Sequence, residues 1–205
     1  MFEFLKKHFD FKIYGATWIG IAAAVAVLPC VMFLPPQYGY ENGLLENLQM
    51  LVLFFGIYLC FSSKVDKKFF IFAGLVLTIL VLREVNCGRT LFFPIPGAEN
   101  AFYSWKEIKY GWLAHPLFGL YIAGIAVYFL KNKLFLNLWN LIKNNKLPFW
   151  NIILTITGIV SSLYAEKATE NFVFEEISEL LMYTGILGII WLYSRNKNFS
   201  NTENL

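Results

Sequence analysis

IYGATWIGIAAAVAVLPCVMFL, residues Ile13–Leu34, runs without a single charged side chain. A helix needs about 20 mostly apolar residues to cross the hydrocarbon core of a bilayer. This stretch therefore predicts a transmembrane helix. Five further apolar runs follow it, at Leu44–Phe61, Phe69–Leu82, Trp112–Leu130, Phe149–Tyr164 and Ile177–Tyr193. The third and fifth of the six are short, so their ends must continue into polar sequence. The runs are continuous and do not alternate with period two, which argues against a β-barrel.

Composition agrees. The 205 residues are 58% hydrophobic and 15% charged, and the mean hydropathy is +0.54. A soluble domain carries about 45–50% apolar and about 25% charged residues. Such a surplus excludes a disordered chain, a collagen-like chain, a disulfide scaffold and a soluble enzyme. The expected fold is an all-α, polytopic membrane bundle of six spans, with residues 1–205 as one integral membrane domain. Lys6, Lys7 and Lys12 flank the first span like a signal peptide, but an uncleaved first helix is the expectation. Leu28-Pro29-Cys30 is a poor lipoprotein site.

Lys and Arg counts in the loops set orientation. With both termini inside, the cytoplasmic side holds twelve of the 17 and the outer side five. This predicts N-in, C-in. Most of the six tryptophans fall near predicted span ends, as an aromatic belt requires. Leu134–Ile142, with Trp139, reads as a short helix on the cytoplasmic surface. The net charge of +3 comes from topology-setting lysines. No basic soluble face exists for nucleic acid.

The acids sort the other way. Glu3, Asp10, Asp66 and Glu203 fall inside. Ten glutamates fall outside: Glu41, Glu46, Glu84, Glu99, Glu107, Glu166, Glu170, Glu175, Glu176 and Glu179. Acids contribute little to topology, so insertion does not explain the asymmetry. Ionisable groups within spans face a cavity or a partner and mark function by default. Glu46 lies on one face with Gln49, Leu53, Gly56 and Cys60. Thr155, Gly158, Ser162, Glu166 and Glu170 form a polar and small stripe at helical spacing. Glu176, Glu179 and Tyr183 do the same on the last span. Glu41, Glu99 and Glu175 read as solvated.

The long outer loop spans roughly 83–111. With its flanks it reads LREVNCGRTLFFPIPGAENAFYSWKEIKYGWLAHP. Arg83, Arg89, Lys106 and Lys109 sit where the topology rule disfavours them, so pairing with the outer glutamates is expected. Pro94-Ile95-Pro96-Gly97 is a turn. Ala101–Tyr110 reads as an interfacial helix. Glu107, Gly111, His115 and Gly119 share one face if that helix continues. Pro116 either kinks it or starts a new one. Cys30 and Cys87 both fall outside, where oxidation is permitted, and free thiols are the alternative.

Three readings follow from carboxylates with one histidine. The leading one is a transporter or channel-like protein for a proton, cation or small cationic solute. Its candidate residues are Glu46, Gln49, Arg83, Glu84, Arg89, Glu107, Glu166, Glu170, Glu176, Glu179 and Tyr183. The second is a metal-dependent membrane enzyme acting on a lipid or outer-face substrate, with His115, Glu176 and Glu179 as ligands to a divalent metal. The usual Glu-x-x-His pairing is absent. The third is a structural or accessory subunit, in which ion pairs only fix the bundle. No haem or nucleotide motif appears, and Ser161-Ser162 beside Glu166 gives only a weak lipid-hydrolase pattern. The partners implied are the lipid bilayer of a cell inner membrane and a small cation or solute. Nothing in the sequence fixes an oligomeric state.

The blocks Glu46-Asn47-Leu48-Gln49, Arg83-Glu84 with Gly88-Arg89, and Glu175-Glu176-x-x-Glu179-Leu180 resemble those of an uncharacterised group of small bacterial multi-pass membrane proteins. The resemblance implies that these polar blocks belong together. It carries no activity.

Overall fold

The computed structural model describes residues 8–144, 146–169 and 171–195. Among them are eight α-helices: α1 (Gly15–Phe33), α2 (Leu44–Ser62), α3 (Lys67–Glu84), α4 (Arg89–Phe92), α5 (Ala114–Lys131), α6 (Leu134–Asn144), α7 (Phe149–Tyr164) and α8 (Phe172–Arg195). Two dipeptide strands, β1 (Phe9–Asp10) and β2 (Leu147–Pro148), pair in parallel. Five helical segments are long and apolar enough to cross a membrane. A sixth qualifies when α3 is counted together with Asn86–Phe92, across a bend of 58°.

Local signals explain the boundaries. Asp66 caps α3 by accepting from the Phe69 N–H at 3.3 Å. Pro35 and Pro36 stop α1, because the residue before a proline is pushed out of helical geometry. Pro29 sits inside α1. Pro116 lies in the first turn of α5, where a missing N–H costs nothing, so it opens a helix and does not kink one. The short apolar runs do continue into polar sequence. α3 extends through Arg83 and Glu84, and α7 continues into a π-helical turn at Ala165–Thr169.

α8 is the hub. Some 78% of its most apolar stretch is buried inside the protein, against 6% for the α5 span. α7, α1 and α2 pack on α8, α3 packs on α2, and α5 reaches the bundle through α3. The polarity is inverted relative to a soluble protein. Phe33, Val25, Leu120 and Leu51 are among the most exposed side chains, while Thr17, Gln49, Ser178 and Asn151 are buried. An outer surface of this kind fits hydrocarbon, and the chain is a multi-pass membrane protein.

The two ends of the bundle differ chemically. At one end, β1 meets β2, Asn137 bonds Asp66 at 3.0 Å and the Tyr128 hydroxyl donates to the Lys68 carbonyl. Most of the described lysines gather there. At the other end Asn42 bonds the Thr90 carbonyl at 2.8 Å, and Arg83 meets Glu179.

One local expectation is corrected and one open alternative is resolved. Ala101–Tyr110 is not a helix. Pro94 and Phe102 form an antiparallel bridge, Ile95 bonds Ala101, and turns follow. The Pro-Ile-Pro-Gly turn folds the chain back, so its aromatic residues line a loop and share no helix face with His115. The three cysteines are free thiols, so Cys30 and Cys87 do not pair.

Candidate functional site

The site is built where four helices meet at the acidic end. α3 ends on Arg83 and Glu84. α8 contributes Glu176, Glu179 and Tyr183 from successive turns of one face. α7 adds Ser162, and α2 adds Gln49. Helical spacing puts each set on one side of its helix, and burial of the apolar residues between them turns those sides together.

Arg83 is the centre. Its Nη2 donates to Glu179 at 2.6 Å, to Glu84 at 2.7 Å and to the Tyr183 hydroxyl at 3.0 Å, and Nε donates to Glu84 at 3.0 Å. The Tyr183 hydroxyl donates to Glu84 at 2.5 Å, and Ser162 donates to Glu179 at 3.2 Å. The side chains of Glu84 and Glu179 are 6% and 10% exposed, while that of Arg83 is 52% exposed. The carboxylates thus lie inside and the guanidinium closes them from the open side. Gln49, fully buried, donates from Nε2 to the Glu176 carboxylate at 2.7 Å and to its main-chain carbonyl at 2.8 Å.

One oxygen from each of Glu84, Glu176 and Glu179 falls within 4.8 Å of the others. Among the described residues, the only ion pairs within this cluster are those of Arg83 with Glu84 and Glu179. Three carboxylates therefore lie together with one guanidinium, which pairs with two of them and leaves Glu176 to the Gln49 amide. Charges this close in low dielectric repel strongly unless a proton or a cation intervenes. Glu46, also buried, is handled separately. It accepts from the Asn42 N–H and lies in the first turn of α2, where the helix dipole favours an anion.

Sequence reasoning brought together Glu84, Glu176, Glu179, Arg83, Gln49 and Tyr183, and the structure clusters all six. The rest lie elsewhere. Arg89 stacks over Phe102 at 6.0 Å and forms no ion pair among the described residues. Glu107 accepts from the Ser104 N–H at 2.7 Å in an exposed turn, and its hydrogen bonds to Ser104 hold its carboxyl below the ordinary value. Glu166 is exposed on the π turn, and Glu170 lies outside the described residues. His115 packs against the Trp105 ring at 6.1 Å and is not a member of the three-carboxylate group. Glu84 stands where His115 was expected.

The stripe on α7 proves to be a packing seam. A Cβ on Gly158 would run into the backbone of Met182, and one on Gly185 into the Thr155 main chain. Small residues let the two helices touch backbone to backbone. At the basic end of this seam lies a pair the sequence did not disclose. The Thr17 hydroxyl donates to Asn151 Oδ1 at 2.8 Å, both residues being buried. A lone Thr in α1 and a lone Asn in α7 carry no periodic signal linking them. Asn42, which holds the Thr90 loop to α2, was missed for the same reason.

Comparison of the chain with protein-family models, curated proteins and solved structures returns no match.

Proposed function

We infer that this protein is a transporter or channel-like protein of a cell inner membrane that handles a proton, a cation or a small cationic solute. The basic end faces the cytoplasm and the acidic end faces outward, as the distribution of Lys and Arg requires. The observation that carries the reading is the charge imbalance at the acidic end. Glu84, Glu176 and Glu179 converge, and the single arginine beside them pairs with only Glu84 and Glu179. A purely structural ion-pair network has no use for surplus carboxylates, since each buried charge without a counter-charge opposes folding. A site that takes up and releases positive charge does. Half-exposure of Arg83 gives such a charge a route from the acidic face.

The test is flux in liposomes holding the purified protein, under a proton or cation gradient. Wild type should conduct, and Glu179→Gln should lose most of the flux. Absence of flux for protons, metal ions and organic cations alike would refute the reading. Orientation is checked by a reporter fused after Leu205, which should be active in the cytoplasm.

A further inference from the structure

We propose that the groove between α3 and α5 holds one acyl chain of an anionic phospholipid from the leaflet at the acidic end, with the headgroup on Lys109. The groove is separate from the carboxylate cluster, since none of Arg83, Glu84, Glu176 and Glu179 lines it.

Local sequence opens the groove. Leu117, Tyr121, Gly124 and Tyr128 recur at helical spacing and share one face of α5. The Tyr121 hydroxyl donates to the Leu75 carbonyl of α3 at 3.2 Å, and the Tyr128 hydroxyl donates to the Lys68 carbonyl at 3.4 Å. The two rings thus stand between the helices. Gly124 adds no side chain between them, and a Cβ there would meet nothing within 4 Å. This leaves a hollow of about 470 Å³ walled by Leu75, Leu120 and Ile125. A second hollow, of about 510 Å³, lies toward the acidic end beneath the 83–111 loop, walled by Leu82, Phe93 and Phe118. Leu117 and Tyr121 line both, so the two form one groove.

Depth and charge name the occupant. Leu117 and Leu120 are 59% and 70% exposed, so the groove opens sideways toward hydrocarbon. Gly124 lies about ten residues into α5, roughly 15 Å from its start. That is half of the ~30 Å hydrocarbon core, the depth that the chains of one leaflet fill. Trp105, Lys109 and Tyr110 at the mouth then stand at headgroup level, where aromatic rings settle. Among the described residues Lys109 is the only charged side chain lining the groove. It forms no ion pair there, and its ammonium rests over the Tyr110 ring at 5.3 Å. The neighbouring acid, Glu107, is turned to the Ser104 N–H. An apolar slot one leaflet deep, with a lone cation at its mouth, matches a lipid whose headgroup is an anion.

The delipidated full chain in detergent is titrated with phosphatidylglycerol and with phosphatidylcholine of identical chains, and bound lipid is counted by native mass spectrometry. Wild type should hold one tightly bound phosphatidylglycerol in preference to phosphatidylcholine. Lys109→Gln should lower that preference about fivefold, the worth of one cation near a charged membrane surface. Gly124→Leu fills the hollow and should remove the tight site. Gly119→Leu, also in open space but outside the groove, should leave it unchanged. Neither glycine has a neighbour within 4 Å, so both variants should keep the wild-type thermal midpoint in lipid-free detergent. A photoreactive group at the end of the acyl chain should label the peptide holding Tyr121 and Gly124. Equal affinity of wild type for the two lipids overturns the proposal. So does tight binding that survives in Gly124→Leu, a preference unchanged in Lys109→Gln, or labelling spread evenly over α1, α2 and α5.

Discussion

The acidic cluster and the α7–α8 seam are both polar, both buried and both built on α8, yet they are different kinds of structure. The seam is neutral and dense. Gly158 and Gly185 bring two backbones together, and the nearby Thr17–Asn151 bond is held between groups without charge. The cluster is charged and unbalanced, with three carboxylates around one guanidinium. Polarity within a membrane helix therefore does not by itself mark a site. What separates the two regions is charge. The seam leaves only neutral groups such as Asn151 Nδ2 without a partner, and the cluster holds more carboxylates than cations.

Disruption of the seam should have the largest effect on stability. Gly158→Leu forces a side chain into the Met182 backbone and should cost about 3 kcal/mol, seen as a lower thermal midpoint in detergent. A loss below about 1 kcal/mol would mean that the seam yields easily and that the close approach is not what holds α7. Next comes Arg83→Leu, which strips the cluster of its one cation. Fully buried pairs lose about 3–5 kcal/mol when one partner goes. Half-exposure of Arg83 reduces this to about 2 kcal/mol. Adding Glu179→Gln should restore part of that loss, because the surplus of negative charge shrinks. Failure of this rescue would show that Arg83 acts through packing and not through charge.

Smaller still is Asn151→Leu, which breaks the bond from Thr17. Interhelical hydrogen bonds in membranes average near 0.6 kcal/mol, so a loss of about 1 kcal/mol is expected, with no effect on flux. The smallest effect belongs to Tyr14, just before α1. Burial first, and then the hydrogen bond to Asp10 and its charge, raise its ionisation from the ordinary 10 to about 12. Because the folded value is raised, the contact contributes below pH about 10 and fades as pH climbs through about 12. Phenolate absorbance during an alkaline titration should contain a component near pH 12 that Asp10→Asn moves earlier.

Much of this was legible in the sequence. Apolar run length located the helices to within a few residues at most ends, because hydrocarbon thickness fixes that length. Spacing along one helix assigned Glu176, Glu179 and Tyr183 to a common face, and position at a span end brought Arg83 and Glu84 toward it. Other features depend on contacts between helices, which spacing does not encode. The α7 stripe fits either a close helix contact or a polar lining, because small and polar residues share that pattern, and only the distance to Met182 shows that Gly158 is in close contact. Glu107 and Arg89 looked like site residues by charge, but the turn at Ser104 and the Phe102 ring occupy them locally. Thr17 and Asn151 are 134 positions apart.

The most direct test compares both regions in one assay. Wild type, Glu176→Gln and Asn151→Leu are reconstituted at equal protein content, and cation flux is measured under the same gradient. The cluster as working site predicts flux in wild type, near-wild-type flux in Asn151→Leu and little flux in Glu176→Gln. Equal flux in Glu176→Gln and wild type, or loss in Asn151→Leu alone, would contradict it.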